Sequence, residues 1–576
     1  MAHMAASELF LHADERGNPH TRLDAHRRDG TAWSTGNECV ALVHGAAYFR
    51  ALYDAVSATG PGDLVYFVDW RGDPDQRLTD DPDSTVSEVL CAAALRGAEV
   101  RGLLWRSHPR FLGYHADRSL ALAQAIRDAG GQCLRDMRVR TAGAHHQKFV
   151  VVRYADDPRR DVAFVGGIDL CHSRRDDRDH HGDPQALPMA SAYGTCPAWH
   201  DVHVSVRGPA VYDVETTFRE RWQDSTPLTM NLARGLASRL QDEDLTPRPL
   251  MPQAPPPPLV EGAHDAVQVL RTYPAILPKG YDFAPDGERS VVLGASKAVG
   301  LARRLIYVED QYLWSETIGE MFAVALRANP GLRIVVILPL VPDEDSAFAM
   351  PPQLYGRRVA MERMLEAGGD RVAFFGLTAA TGLPIYVHSK VCIVDDDWVS
   401  VGSDNFNRRS WSSDSELSLS IADDRDAGEH PSSFALRLRR ELVGEHLGCA
   451  PEDVPVDLDA VFAATGASAD ALDAWYAGAR GRALVDRVRA RTTRPHTAWA
   501  RRQLERSAMR LTTRAAAAGQ RPPGQLRRLS LPTLTTAQQL WAPQVYSALF
   551  DPDGTVLRNE DLGELSTPDV GEGAGG

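Results

Sequence analysis

A His-x-Lys pattern that occurs twice constrains the fold of this chain more than any other feature. The first copy lies in residues 143–152 and the second in residues 386–395, each within a β-branched apolar run. Each copy is followed by a second apolar run that ends in a Gly-Gly or Gly-Ser turn, at 165–169 and 401–405. Two equivalent segments separated by the length of a whole domain indicate a tandem repeat.

The segments around the two copies also repeat in order. Residues 63–70 and 305–312 each read as a buried strand that ends in an acidic and an aromatic residue, and 100–105 and 332–338 as a second strand. Between them lie helical patterns with apolar residues at three- and four-residue spacing. Strands that alternate with helices predict two tandem α/β lobes with mixed sheets, related by pseudo-twofold symmetry.

A proline-rich segment at 246–258 separates the two copies, and it can form neither a helix nor a central strand. The length of 576 residues suits two large domains and an extension. We therefore predict an N-terminal lobe at 1–245 and a C-terminal lobe at 259–445, each with one motif. A helical, Arg-rich extension with a disordered tail is expected at 446–576.

The extension contains the one strongly basic stretch of the sequence. Its arginines are Arg487, Arg489, Arg491, Arg494, Arg501, Arg502 and Arg506. Two interpretations stay open: a solvated helical appendage that packs on the second lobe, and a surface that meets anionic lipid headgroups.

Composition and charge argue against several classes of protein. No stretch approaches the roughly 18 to 20 uninterrupted apolar residues of a membrane-spanning helix, and the start lacks the basic flank and apolar segment of a secretory signal. The seven scattered cysteines, without C-x-x-C, make disulfides and a zinc site unexpected. A net charge of −14 argues mildly against a nucleic-acid partner. We expect a cytoplasmic monomer that is peripheral on the membrane, or a secreted one if a signal was removed.

The two His-x-Lys pairs have side chains suited to phosphoryl chemistry. On a strand, residues i and i+2 share a face, so His146 and Lys148 point together, as do His388 and Lys390. A histidine can attack phosphorus or carry a proton, and a lysine can hold a phosphate oxygen. Two copies supply both halves of a phosphoryl displacement, which predicts a phosphodiesterase.

The turns that follow the pairs add candidate substrate-binding residues. Gly402 and Ser403 let the backbone come close to a phosphate, and Asn405 provides an amide donor. Gly166 and Gly167 hold the corresponding positions in the first half.

These residues together resemble the signature of the phospholipase D superfamily, H-x-K-x4-D followed by G-[GS]-x-N. The second half fits it fully over residues 388–405. Segments 166–171, 199–204 and 306–312 are similar to the eukaryotic-type phospholipase D branch in particular. The resemblance covers about residues 60 to 445, so both lobes are phospholipase D-like.

The resemblance implies an active site at the lobe interface, with no cofactor and no metal in the chemistry. His146 would be the nucleophile and form a phosphohistidine, and His388 would protonate the departing alcohol and then deprotonate water. Lys148, Lys390 and Asn405 would neutralise the nonbridging phosphate oxygens.

Carboxylates behind the histidines are also implied. By position in the motifs, Asp201 would hold His146 and Glu416 would hold His388, with Asp414 as the fallback. Asp395, the aspartate of the second signature, would be structural.

The first half departs from the signature at two positions. Arg153 replaces the structural aspartate, and Asp156 and Asp157 are the candidates to take its place after a rearrangement of the loop. Asp169 stands at the asparagine position and counts among the substrate-binding candidates. A carboxylate there would repel phosphate unless it turns away or pairs with Arg174 or Arg175.

Two further groups have weaker claims to function. Residues 177–181 contain two aspartates and two histidines that could bind a metal, although a solvated loop is the simpler interpretation. Trp105, Trp199 and Trp314 could line an acyl or choline pocket, although core packing is simpler.

The leading interpretation is a phospholipase D that cleaves the distal phosphodiester bond of glycerophospholipids, such as phosphatidylcholine, and releases phosphatidic acid and a head alcohol. The partners are then a phospholipid at a membrane surface and water or a primary alcohol as acceptor, which leaves transphosphatidylation open. The alternatives are a cardiolipin synthase-like phosphatidyltransferase, a nuclease and an inactive lipid-binding homologue. The acidic charge disfavours the nuclease, and the retained histidines and lysines disfavour the inactive homologue.

Overall fold

The first half of the chain folds around one mixed sheet. The computed structural model describes residues 4–27, 29–107, 116–229, 235–236, 238, 240–241, 243–276, 279–425, 433–478 and 521–554. The strands of the first half are β1 (Ser34–Val43), β2 (Leu64–Asp69), β3 (Glu99–Trp105), β4 (Gln132–Asp136), β5 (Phe149–Arg153), β6 (Val162–Gly166), β7 (Ala198–His200) and β8 (Val202–Arg207). Apart from β7 they form a sheet in the order β1-β8-β6-β5-β2-β3-β4, parallel from β2 to β4 and antiparallel elsewhere.

The second half repeats this sheet. Its strands are β9 (Asp265–Tyr273), β10 (Glu288–Arg289), β11 (Leu305–Glu309), β12 (Arg333–Ile337), β13 (Val372–Thr378), β14 (Pro384–Val387), β15 (Val391–Val394), β16 (Trp398–Gly402), β17 (Glu416–Asp423) and β18 (Leu526–Arg528). The central order is β9-β17-β16-β15-β11-β12-β13, with the same directions as in the first sheet. This confirms the predicted fold of two α/β lobes with mixed sheets.

Helices fill the connections between the strands. Those of the first half are α1 (Ala6–Leu9), α2 (Gly45–Ser57), α3 (Val86–Leu95), α4 (Ala116–Asp128) and α5 (Ala210–Gln223). Those of the second half are α6 (Ser290–Gly300), α7 (Glu316–Ala328), α8 (Met350–Gly368), α9 (Arg408–Ser412), α10 (Phe434–Leu447), α11 (Leu458–Ala477) and α12 (Thr536–Val545). Local sequence sets some of these ends: Thr85 caps α3 by accepting the Glu88 N–H at 3.2 Å.

The two sheets share one apolar core. Inward-facing residues of β5 and β8, such as Val151 and Val204, belong to the same cluster as Ile393 of β15 and Leu419 of β17, together with residues of α5 and α10. The opposite face of the first sheet packs on α2, α3 and α4, and that of the second sheet on α6, α7 and α8. The sheets are therefore buried on both faces, which explains their continuous apolar runs.

Strand β7 pairs with the sheet of the other half of the chain. It belongs to the first half by sequence, yet it pairs in parallel with β14 of the second sheet, with Ala198 opposite Ile385 and His200 opposite Val387. This exchange brings the end of β7 to the start of the second His-x-Lys segment.

The ends of the chain also pack on the second lobe. Ala6, Leu9 and Phe10, which the sequence assigned to the N-terminal lobe, lie in the core cluster of α6, α7 and α8. In the predicted helical extension, α11 is followed by β18, which pairs antiparallel with β13. The extension therefore contributes a strand as well as helices, and the domain boundaries stay predictions.

The basic stretch from Arg487 to Arg506 and the predicted disordered tail lie outside the described residues. The linker at 246–258 has neither helix nor strand. Among the helices that the structure describes, none combines the length and the apolar character needed to cross a membrane.

Candidate active site

His146 lies just before β5, and its ring contacts a carboxylate of the other lobe. Its Nδ1 is 3.0 Å from both carboxylate oxygens of Glu416, the first residue of β17. Its backbone N–H donates to the Ser415 carbonyl at 2.9 Å. With Nδ1 held by the carboxylate, the Nε2 atom is left to carry the reactive lone pair.

His388 lies just after β14 in the corresponding arrangement. Its Nδ1 is 2.7 Å from the carboxylate of Asp201, the residue that follows β7. Its backbone N–H donates to the His200 carbonyl at 2.8 Å. Asp201 is held in turn by the Val202 N–H at 2.9 Å and by the indole N–H of Trp199 at 3.3 Å.

The carboxylates are therefore exchanged between the lobes, and the predicted pairing of Asp201 with His146 and of Glu416 with His388 is wrong. The physical reason is the chain path. The carbonyl just before each carboxylate accepts the N–H of the opposite lobe's histidine, so the carboxylate that follows points at that same histidine. The fallback, Asp414, accepts the N–H of Ala144 at 2.7 Å instead.

Both motif lysines fold back on their own histidines. Lys148 Nζ donates to the His146 carbonyl at 2.8 Å and lies 3.4 Å from Asp169. Lys390 Nζ donates to the His388 carbonyl and, at 3.1 Å, to the side-chain carbonyl of Gln311, which follows β11. Each ammonium group is thus fixed beside the imidazole of its pair.

Burial controls the protonation of these groups. It lowers the pKa of His146 and of His388 well below the usual range, and the neighbouring lysines act in the same direction. Burial and the nearby Asp414 raise the pKa of Glu416 to about 8. Burial lowers the pKa of Lys390 to about 8. Burial therefore favours the neutral form of both imidazoles.

A chain of contacts links the first lysine to the second histidine. Asp169 contacts Lys148 at 3.4 Å and Arg174 at 3.4 Å. The Arg174 guanidinium lies 4.0 Å above the Trp199 ring, whose centroid is 5.0 Å from that of His388. The residues of both motifs hence belong to one site.

The expected pairing of Asp169 with Arg174 is present, and Arg175 instead contacts Asp80 at 2.9 Å. Burial alone would raise the pKa of Asp169, but Lys148 and Arg174 outweigh it and hold the pKa below its usual value. Its negative charge is therefore matched by two cations before any substrate binds.

The glycine turns serve close packing. A Cβ on Gly167 would lie 2.3 Å from Asp201 Oδ1, and one on Gly402 would lie 1.8 Å from Ser418 Oγ. A Cβ on Gly166 would lie 2.6 Å from the backbone of the neighbouring strand, at the Val202 carbonyl.

The backbone N–H groups of these turns donate to neighbouring carbonyls, as in Gly402 to Lys390 at 3.3 Å and Gly167 to Val202 at 3.2 Å. These two N–H groups are therefore already paired, and the turns pack closely beside the candidate catalytic groups.

Ser403 and Asn405 differ in their surroundings. The Ser403 hydroxyl donates to Glu416 at 2.5 Å, so it orients that carboxylate. Asn405 is buried, and among the described residues no group donates a hydrogen bond to its Oδ1. Its amide remains the candidate for contact with a ligand.

The two lobes place the structural aspartate at different positions in the chain. Asp395 accepts the N–H groups of Arg304 and Leu305, both at 2.8 Å, at the start of β11. In the first lobe, Asp63 at the start of β2 accepts the Ala155 N–H beyond β5 at 2.8 Å. The structural carboxylate thus precedes β2 in the first lobe, whereas in the second lobe it follows β15.

Asp156 and Asp157, which the sequence offered as substitutes, instead contact Arg160 and Arg159. The Arg153 side chain is free for another role. It binds the buried carboxylates of Asp161 and Glu215, each at 2.7 Å.

Replacement of Arg153 by alanine is expected to lower the free energy of unfolding by about 3 kcal/mol, because the buried Asp161 loses its cation and the buried Glu215 keeps only Arg219. Urea denaturation measures the effect. Arg159→Ala is the matched control, because that side chain is 79% exposed and its ion pair should contribute little. Equal stability of the two variants would contradict the assigned role of Arg153.

Sequence reasoning offered His180 as one possible metal ligand but missed the other side chains behind Asp201. His44, His180, His200 and Glu445 are brought together there from four distant segments. The predicted solvated loop is wrong for His180, which is buried, and correct for the exposed His181. No spacing rule connects these positions, so only the fold reveals them. Trp105, Trp199 and Trp314 are buried, as expected.

Comparisons with known proteins find two family models. The model described as "Phospholipase D" matches residues 63–245, and that described as "Cardiolipin synthase, PLD-like domain" matches residues 302–437. The chain is 26% identical over 559 residues to phospholipase D gamma 2 of Arabidopsis thaliana, covering 74% of this chain and 64% of the relative. It is 26% identical to phospholipase D alpha 1 of Oryza sativa subsp. japonica, covering 69% and 63%. The chain thus spans less than two thirds of the length of these relatives.

Among solved structures, the chain is similar to the phosphatidylserine synthase of Haemophilus influenzae Rd KW20. The TM-score is 0.47 at 13% identity, and the match covers 71% of this chain and 87% of that one.

Proposed function

Because the chain belongs to the phospholipase D superfamily, we propose that it is a phosphodiesterase that hydrolyses the distal phosphodiester bond of glycerophospholipids. The products are phosphatidic acid and the head alcohol. The observation that carries the proposal is the pair of exchanged contacts, His146 with Glu416 and His388 with Asp201, each beside a buried lysine.

In the first step, Nε2 of His146 attacks phosphorus as the bond from phosphorus to the head-group oxygen breaks. A neutral imidazole is required, and the burial of His146 supports that form. Glu416 stabilises the positive charge that the ring acquires. Lys148, Lys390 and Asn405 face the nonbridging oxygens in this scheme and stabilise their charge.

His388 supplies the proton that the departing alkoxide requires. Burial disfavours its charged form in the free protein, but an anionic phosphodiester beside the ring raises its pKa and favours protonation. In the second step His388 takes a proton from water, and the oxygen of the water attacks phosphorus. The phosphorus–nitrogen bond breaks and His146 is restored. A primary alcohol in place of water gives transphosphatidylation.

The deciding experiment is incubation of the full chain with phosphatidylcholine vesicles, supercoiled plasmid DNA and bis-(p-nitrophenyl) phosphate in separate assays. We expect phosphatidic acid and choline from the lipid, and phosphatidylethanol when ethanol is present. His146→Ala is the blank for contaminating enzymes. DNA cleavage without lipid cleavage would replace the proposal by a nuclease.

A second candidate, a phosphatidyltransferase, is favoured by the match of residues 302–437 to the cardiolipin synthase model. It predicts cardiolipin when phosphatidylglycerol is both donor and acceptor. A rate of cardiolipin formation above that of phosphatidic acid release would make this the better assignment.

The pKa of Lys390 predicts the alkaline limb of the pH profile. Its ammonium form, which holds the phosphate oxygens, is present below a pKa of about 8 and is lost as pH rises through that value. We expect kcat/KM on a monomeric short-chain phosphatidylcholine to fall above pH of about 8.

Lys390→Arg tests this assignment, because a guanidinium stays charged up to a pH of about 12. Its overall rate should be lower, but its alkaline limb should move to higher pH. An unchanged limb would assign the titration to another group.

A further inference from the structure

A second cluster of ionisable side chains lies directly behind Asp201. His44 precedes α2, His180 follows β6, His200 ends β7 and Glu445 lies in the last turn of α10. All four side chains are at most 5% exposed. Burial of so many ionisable groups requires compensation of their lone pairs and charges.

The distances within the cluster are compatible with a coordination site. His44 Nε2 and His180 Nε2 each lie 3.0 Å from an oxygen of Glu445, and His200 Nδ1 lies 3.4 Å from one of them. One donor atom from each of the four residues lies within 4.8 Å of all the others. A tetrahedral ion with bonds of about 2.0 to 2.1 Å separates its ligand atoms by about 3.3 Å, close to these values.

His200 gives the second, independent indication. Its Nε2 is 2.7 Å from Glu309, whose carboxylate also accepts from Ser389 at 2.8 Å and from Tyr307 at 2.6 Å. Its buried Nδ1 makes no well-aligned hydrogen bond among the described residues, and its one carboxylate contact, to Glu445, is long at 3.4 Å. An imidazole that donates one N–H to a carboxylate and offers its other nitrogen to a metal is the usual arrangement of metal-binding histidines.

We propose that His44, His180, His200 and Glu445 bind one divalent transition-metal ion, with Zn²⁺ as the best match. Three imidazole nitrogens and one carboxylate oxygen are donors that Zn²⁺ accepts, and four protein ligands make a closed, structural site. The two positive charges of the ion balance the carboxylates of Glu445 and Glu309.

Protons are the competing occupants. Burial alone would lower the pKa of both histidines. The surrounding carboxylates outweigh it and raise the pKa of His200 to about 10 and that of His180 to about 9. Two imidazolium ions would then supply the same charge as one metal ion. They would leave Nδ1 of His200 with only the long contact of 3.4 Å to Glu445, whereas a metal ion would bind that nitrogen directly.

The ion would link the lobes behind the active site. The His200 carbonyl accepts the His388 N–H at 2.8 Å, and His44 Nδ1 lies 3.1 Å from the Asp201 carbonyl. Glu445 comes from the second lobe and the histidines from the first. The site therefore has a positioning role toward the pair of Asp201 and His388.

The test is the metal content and thermal stability of the full chain, purified without a histidine tag. We expect mass spectrometry to find about one zinc per chain. Removal of the metal with dipicolinate should lower Tm by about 5 °C or more, and Zn²⁺ but not Mg²⁺ should restore it. Neither readout depends on phospholipid cleavage.

Two neighbouring substitutions locate the site. His180→Gln should lose the zinc and its effect on Tm, whereas His181→Gln, at the exposed neighbour, should keep both. Loss of zinc in the His181 variant alone would assign the ion to the exposed cluster of Asp177, Asp179 and His181.

A folded wild-type protein that contains no metal, and whose Tm does not respond to Zn²⁺, would overturn the proposal in favour of protons. This outcome does not depend on whether the His180 variant folds.

Discussion

Replacement of His146 by alanine is expected to lower kcat/KM by about 10⁵-fold or more and to abolish the covalent phosphoryl-enzyme. The reason is that this imidazole, neutral and held by Glu416 at 3.0 Å, is the proposed nucleophile. The adduct is measured by rapid quenching under alkaline conditions, which preserve phosphohistidine, followed by peptide mass spectrometry.

His388→Ala is the matched comparison, because it removes the same side chain from the equivalent position of the other lobe. It should block turnover of phosphatidylcholine as well. With a substrate whose leaving group is p-nitrophenolate, which departs without a proton, it should still form the adduct on His146 and accumulate it. An adduct on His388 in the wild-type protein would reverse the two roles.

Replacement of either exchanged carboxyl group by an amide is expected to have the next largest effect. Asp201→Asn and Glu416→Gln should each lower kcat by about 10³- to 10⁴-fold. The amide no longer fixes the tautomer of the histidine that it contacts, and it no longer stabilises the positive charge that this ring acquires. The two variants should fail at different steps. Glu416→Gln should suppress adduct formation on His146, whereas Asp201→Asn should permit it from p-nitrophenyl substrates and block its hydrolysis.

This difference tests the exchange of carboxylates between the lobes directly. If each carboxylate served the histidine of its own lobe, Asp201→Asn would be the variant without an adduct. Single-turnover kinetics with the p-nitrophenyl substrate separates the outcomes. Glu366→Gln, at an exposed side chain of α8, is the control for a neutral amide substitution, and urea denaturation verifies that the variants are folded.

The sequence was sufficient for the repeat, the two α/β lobes and the grouping of both His-x-Lys pairs. Each of these depends on local patterns, such as the apolar runs that became β5 and β15. The partner of each histidine could not be predicted in the same way. His388 and Asp201 are 187 residues apart, and their contact results from the pairing of β7 with β14.

The first motif illustrates a second limit on what can be predicted from the sequence. Arg153 indicated a rearranged loop, but nothing in the sequence assigned the aspartate's role to Asp63, ahead of a strand rather than behind one. The buried environment of His180 was equally hidden, because Glu445 reaches it from the end of α10. Such contacts follow from how the lobes meet and not from residue spacing.

The exchange of carboxylates also has a consequence for the chain during its synthesis. On a ribosome, the first lobe is made before most of the second. His146 would then be present without Glu416, and Asp201 without His388. Neither histidine–carboxylate pair can therefore form until the second lobe has been made and has docked, so the order of translation itself delays assembly of the candidate site.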